Sequence, residues 1–125
     1  MTPEPLVLVA DDDDDILLLV TTRLRRDGFK VIQARDGDEA LDLALEHRPD
    51  IAVLDIGMPG LDGLDVVRAI RADEATKRMR VLLLTAKAQE SDVRRGYTAG
   101  ADLYVRKPFS PAELSTRVRA LLVEP

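Results

Sequence analysis

Five short, largely aliphatic runs punctuate the chain, at residues 6–10, 31–34, 51–54, 81–84 and 103–105. Runs this brief, apolar on both sides of the pleat, predict buried strands. Between them the apolar positions recur at helical spacing. Residues 14–27 carry Ile16, Val20 and Leu24 on one face, and residues 38–47 carry Ala40, Leu41, Ala44 and Leu45. Residues 63–72 offer Val66, Val67 and Ile70, residues 90–99 hold Val93 and Tyr97, and residues 111–123 hold Leu114, Val118 and Leu121. Gly28 and Gly100 stand where helices place C-terminal glycines, and Ser110-Pro111 reads as an N-cap followed by a first-turn proline. Strand–helix alternation repeated five times predicts an α/β fold, a doubly wound five-stranded parallel sheet with helices on both faces.

Polar residues collect at the ends of these strands. Asp11, Asp12 and Asp13 follow the first run, Asp55 the third and Thr85 the fourth, while Lys107 comes just after the fifth. Ligands of open α/β sheets bind at the carboxyl edge of the strands, so these groups are expected to converge on one rim. Crowded carboxylates repel, and a hard divalent cation bound through oxygen relieves the repulsion; Mg²⁺ suits one or two carboxylates together with waters and phosphate oxygens. A nearby lysine supplies a point charge for a phosphoryl group, and a threonine hydroxyl a hydrogen-bond donor. A carboxylate can itself be the nucleophile and form an aspartyl-phosphate. Asp14 and Asp15 read as solvated acids of a helix N-terminus, and the role of Asp13 stays open.

Composition narrows the classes. At 125 residues the chain is long enough for one hydrophobic core and too short for two. It contains no cysteine, which excludes disulfides and thiolate chemistry and fits a reducing compartment. No apolar run approaches the roughly 18 residues of a membrane span, and the first residues lack the pattern of a signal peptide. A cytoplasmic location without membrane contact is the expectation. The net charge of −5 and an aromatic share of 3% argue against direct nucleic-acid binding by this domain.

The stretches LVLVADDD at 6–13, DIAVLDIGMPGLDG at 50–63, VLLLTA at 81–86 and GADLYVRKPF at 100–109, in this order and at these spacings, closely resemble the receiver domains of response regulators in two-component, His–Asp phosphorelay systems. The likeness covers about residues 5–123 and implies a single flavodoxin-like (βα)5 receiver domain over 1–125, with no output domain in this chain. By that resemblance Asp55 is the phosphoacceptor. Asp12 and Asp55 would ligate Mg²⁺ (or Mn²⁺) with the Gly57 backbone carbonyl, and Asp11 would act mainly through a bound water. Lys107 would pair with the phosphoryl group, Thr85 would swing toward it, and Tyr104 resembles the aromatic that turns inward when Thr85 moves. The Lys107-Pro108 bond would be cis. The protein would catalyse its own phosphorylation and slow autodephosphorylation without being an enzyme on an external substrate.

Partners follow from the same likeness: a histidine kinase or histidine phosphotransfer protein, docking near Ile16, Leu18 and Pro108. At about 100° per residue Leu18 turns away from the Ile16/Val20/Leu24 face. The segment from 85 to 122 is similar to receivers attached to winged-helix DNA-binding domains, which implies a phosphorylation-dependent homodimer through the fourth helix, fifth strand and fifth helix. Val93, Thr98 and Leu103 stand where that subfamily places charged contacts, leaving Arg94, Arg95, Arg117 and Arg119 to pair with acids such as Glu90 and Asp92.

Two other readings are weaker. A haloacid-dehalogenase-type phosphatase also uses a strand-end aspartate and Mg²⁺, but needs a second aspartate two residues on, where Gly57 stands. Flavin binding would need a phosphate loop and stacking aromatics; Gly57, Gly60 and Gly63 fit neither glycine-rich phosphate pattern and read as turn residues. His47, the single histidine, has no ligand partner and reads as a surface residue, so the protein is expected to receive phosphate and not donate it from histidine.

Overall fold

The computed structural model describes residues 4–86 and 90–123, leaving the side chains of 90–93 and 96 outside the description. Along these residues run β1 (Leu6–Ala10), α1 (Asp14–Arg26), β2 (Lys30–Ala34), α2 (Gly37–His47), β3 (Ile51–Asp55), α3 (Gly63–Ala72), β4 (Arg80–Thr85), α4 (Glu90–Ala99), β5 (Leu103–Arg106) and α5 (Pro111–Val123). The strands form one sheet in the order β2-β1-β3-β4-β5, every pair parallel. This is the doubly wound, flavodoxin-like arrangement, with its switch in strand order between β1 and β3. Asp55 and Thr85 belong to their strands as last residues, one ladder step further than the apolar runs predict.

Period-2 alternation divides the core into two layers. Leu8, Ala10, Leu54 and Leu83 face Ala40 and Ala44 of α2 and Val66, Val67 and Ile70 of α3, with Ala99 of α4 packed alongside. Val7, Val9, Val53, Leu82 and Leu84 face Leu17, Val20 and Leu24 of α1 and Leu114, Val118 and Leu121 of α5. The helical faces differ from the sequence expectation in three places. Leu17, not Ile16, is wholly buried in α1, and Ile16 is only partly covered. Leu45 and Tyr97 are exposed. Short helices on a sheet bury a narrow stripe, and residues on its margin fall outside it. The Val93 side chain lies outside the described residues.

The helix ends have local causes. Asp13 is the N-cap of α1, its carboxylate accepting from the N–H groups of Asp15 and Ile16 at 2.9 and 3.2 Å. This settles its role, while Asp14 pairs with Arg35 at 2.8 Å. Asp62 and Asp65 form a reciprocal capping box at the start of α3. Ser110 Oγ accepts from Glu113 N–H at 3.3 Å ahead of Pro111. After α4, Gly100 takes φ +113°, where a side chain would be strained.

At the edge of the sheet where the strands begin, Arg71 ties four segments together. Its guanidinium donates to the Gly100 carbonyl at 3.0 Å, the Lys77 carbonyl at 3.2 Å, the Met79 carbonyl at 2.5 Å and Asp102 Oδ2 at 3.0 Å. Asp102 Oδ2 also accepts the Val81 N–H at 2.8 Å. On the other face, Asp27 at the end of α1 accepts from Ser115 Oγ of α5 and from Arg23, and these two bonds, Ser115 first, hold its carboxyl below the usual range.

Candidate functional site

The parallel register brings the ends of β1, β3, β4 and β5 to one rim. Asp11 directly follows β1, its N–H bonded to the Ala34 carbonyl at 3.1 Å, and its Oδ1 accepts the Asp13 N–H at 2.9 Å. Asp55 ends β3 opposite Leu84, and the Ile56 N–H donates to the Leu84 carbonyl at 2.9 Å. The Lys107 N–H reaches the Thr85 carbonyl at 2.7 Å, which carries the lysine over the pocket just beyond β5. Asp11, Asp55 and Thr85 are buried, and Asp12 is exposed at the mouth.

Beneath Asp55 the packing leaves no room. Gly63 opens α3 directly against the end of β3, and a Cβ there would lie 2.7 Å from the Asp55 carbonyl oxygen. Gly63 is therefore a close-approach residue of a helix, where the sequence suggested only a turn. Gly60 does occupy a turn, with φ +74°.

Carboxylate oxygens of Asp11, Asp12 and Asp55 lie within 4.8 Å of one another. Lys107 Nζ stands 3.0 Å from Asp11 Oδ2 and 3.5 Å from Asp55 Oδ1. Three carboxylates against one ammonium leave two formal negative charges in a pocket where Asp11 and Asp55 are buried and Asp12 is exposed. Asp11 Oδ2 is buried and has no aligned hydrogen-bond donor, so its contact with Lys107 is a charge pair and not a well-directed bond. An orphaned buried oxygen beside two further carboxylates suits a hard divalent cation.

The electrostatics agree. Burial, and then the charge of Asp11, push the Asp55 carboxyl up to about 6, against the opposing pull of Lys107 and a hydrogen bond from the Gly57 backbone. Burial works to lower the Lys107 ammonium, but Asp11 and Asp55 outweigh it and its pKa is raised.

Beside this rim lies an apolar hollow of about 340 Å³ between α1 and the segment that follows β5, lined by Ile16, Leu19, Val20, Ala86, Lys107, Pro108, Phe109 and Pro111. The Lys107-Pro108 peptide is cis. Of the three residues expected to meet a partner, Ile16 and Pro108 line this hollow and Leu18 does not. Leu18 points to solvent at 64% exposure, and Leu19, which the sequence reading passed over, takes the place beside the hollow at 57%. Consecutive helical positions differ by about 100°, so the neighbour falls on the other side of the helix.

Residues 7–119 match the family model of the response regulator receiver domain. The chain belongs to this family. It is 43% identical over 121 residues to the transcriptional regulatory protein ResD of Bacillus subtilis, covering 97% of this chain and 49% of that protein. It is 45% identical over 116 residues to the DNA-binding response regulator MtrA of Mycolicibacterium smegmatis, covering 93% and 50%. The chain therefore spans about half the length of the curated relatives it matches. Its fold is similar to the receiver domain of the sensor histidine kinase PA1611 from Pseudomonas aeruginosa, whose structure has a magnesium ion coordinated in the active-site cleft, with TM-score 0.89 and 30% identity over 97% of this chain and 99% of that one. These relatives are components of phosphorelay signalling and not dehalogenase-type phosphatases, which removes that phosphatase reading. Among the described residues no helix is long and apolar enough to cross a membrane.

Proposed function

We propose that Asp55 accepts a phosphoryl group from a phosphohistidine of a histidine kinase or phosphotransfer protein, with Mg²⁺ or Mn²⁺ held by Asp11, Asp12, Asp55 and the Gly57 carbonyl. The observation that carries this is the position of Lys107, whose ammonium touches both Asp11 and Asp55 at the mouth of a doubly negative pocket. An Asp55 oxygen attacks phosphorus, an O–P bond forms, and the P–N bond to histidine breaks. The metal supplies charge neutralisation that lets a carboxylate approach an anionic phosphoryl group. Lys107 shifts its charge toward the new phosphoryl oxygens, and the Thr85 hydroxyl donates to one of them. The phosphoryl group adds about −1.5 to −2 charge where a carboxylate stood. Thr85 is drawn toward it, and Tyr104 fills the space that Thr85 leaves.

The same reading assigns the hollow of Ile16, Leu19 and Pro108 to the phosphodonor's helices, because it is apolar and opens next to Lys107. It places the domain in the cytoplasm, with slow self-catalysed dephosphorylation and no direct nucleic-acid contact. Residues 1–125 make one receiver unit. Phosphorylation favours a homodimer through α4, β5 and α5. Arg119 donates to the Asp27 carbonyl at 2.7 Å and lies 4.8 Å over the Phe29 ring, so a second copy would compete with these contacts for it. Leu103 is partly covered by the core, which trims the apolar area it can offer a second copy.

The test is intact-mass measurement after treatment with acetyl phosphate and Mg²⁺. One added phosphoryl group is expected, absent with chelator and absent in Asp55→Asn. Equal labelling of Asp55→Asn overturns the assignment.

A further inference from the structure

Tyr104 projects from β5 onto the face that carries α4, where it is only partly buried at the margin of the core. Its ring centroid lies 6.5 Å from that of Tyr97 on α4, with the ring planes tilted by 40°. This is an ordinary attractive aromatic geometry. Tyr97 itself is 45% exposed. The contact belongs to a Tyr104 that keeps part of its ring in water. A Tyr104 turned further inward, into space given up by Thr85, keeps its core packing and loses this partner.

We infer that Tyr97 is the positioning residue for the switch, an aromatic stop on α4 that holds Tyr104 in its outer position through the ring contact between them. The inference rests on the proposed coupling of Thr85 to Tyr104 and adds the group that sets its resting balance. A tilted pair contributes enough to bias a two-position equilibrium by roughly 2–10-fold. Phosphorylation then works against a defined opposing contact, and the strength of that contact sets how much phosphoryl signal is needed. Tyr97 enters this contact with its ring, so its own hydroxyl is expected to be dispensable.

The chain supplies its own reporter. It contains two tyrosines and no tryptophan, so tyrosine fluorescence and near-ultraviolet tyrosine ellipticity arise from this pair alone. The experiment follows the Tyr104 ring by NMR with labelled tyrosine, with and without Mg²⁺ and beryllofluoride, in wild type, Tyr97→Leu and Tyr97→Phe. Wild type is expected to move Tyr104 on beryllofluoride addition. Tyr97→Leu is expected to shift the untreated Tyr104 signal part-way to the treated position, by the population change given above, while Tyr97→Phe stays at the wild-type position. A Tyr97→Leu protein whose Tyr104 is unshifted before treatment, yet moves fully with beryllofluoride, overturns the inference and leaves the switch reading intact. A Tyr104 that never moves in wild type overturns both. Because Tyr97 is half exposed, the leucine variant is expected to fold, and far-ultraviolet circular dichroism checks it.

Discussion

Lys107 Nζ lies 3.0 Å from Asp11 Oδ2, closer than to the Asp55 oxygen that the phosphoryl group would occupy. The lysine is thus a structural counter-charge for Asp11 before it is anything else. Its side chain is only 17% exposed, so its removal leaves carboxylates facing one another with little water. Lys107→Ala is expected to cost about 1–3 kcal/mol in metal-free buffer. The loss should shrink at millimolar Mg²⁺, where the cation takes over the neutralisation. Urea denaturation with and without Mg²⁺ measures both.

Asp55 gives the metal-free protein a pH dependence of definite sign. Its carboxyl is pushed up to about 6 in the fold, against about 3.9 in an unfolded chain. Between those values the folded state binds the extra proton, so stability falls as pH rises through the window and the penalty is complete above it. Asp27, whose carboxyl is held low, acts with opposite sign but only below roughly pH 4. Denaturation midpoints in chelator should therefore decline from about pH 4.5 to 6.5, and Asp55→Asn should flatten the decline.

Gly63→Ala places a Cβ against the carbonyl of the proposed acceptor. With 2.7 Å available and backbone on the other side, α3 or β3 must shift. A destabilisation of about 1–3 kcal/mol is expected, together with slower labelling by acetyl phosphate, since the displaced backbone is that of Asp55. Wild-type stability in the Gly63→Ala protein would show that the helix start yields more easily than its packing indicates.

Arg71→Ala should separate stability from chemistry. Four acceptors lose their shared donor, and a cost of about 2–3 kcal/mol is expected after water reaches the partly exposed ones. The guanidinium sits at the edge of the sheet opposite Asp55, so single-turnover labelling of the folded fraction should be unchanged. Arg71→Lys should recover little, because one ammonium cannot span the carbonyls and Asp102 in a planar fork.

The rim was legible in the sequence because strand ends fix it. Once residues 6–10, 51–54, 81–84 and 103–105 are strands of one parallel sheet, Asp11, Asp55, Thr85 and Lys107 have nowhere else to converge. Helical phase was harder. Leu17, Leu18 and Leu19 spread over some 200° of α1, and nothing local says which of them meets the sheet: the period places Ile16 on the face that Leu17 in fact buries, while Leu18 points to solvent as its phase predicts. Contacts made across the fold were invisible. Arg71 reads as one arginine among many until its partners 29 and 31 residues away are beside it, and Tyr97 reads as core until Tyr104 is found at its side.

The grip of Arg71 on the Gly100 carbonyl has a mechanical consequence for α4. That helix is pinned where it ends and begins on the side of the sheet that bears Asp55. Ten residues at 1.5 Å each make an arm of roughly 15 Å, so a tilt of about 10° carries its first turn some 2.6 Å while its last turn scarcely travels. Tyr97, one turn from the pivot, is nearly stationary in such a motion. A tilt of this kind would displace the surface nearest Asp55 and leave the ring that Tyr104 leans on in place, a fixed post beside a moving lever.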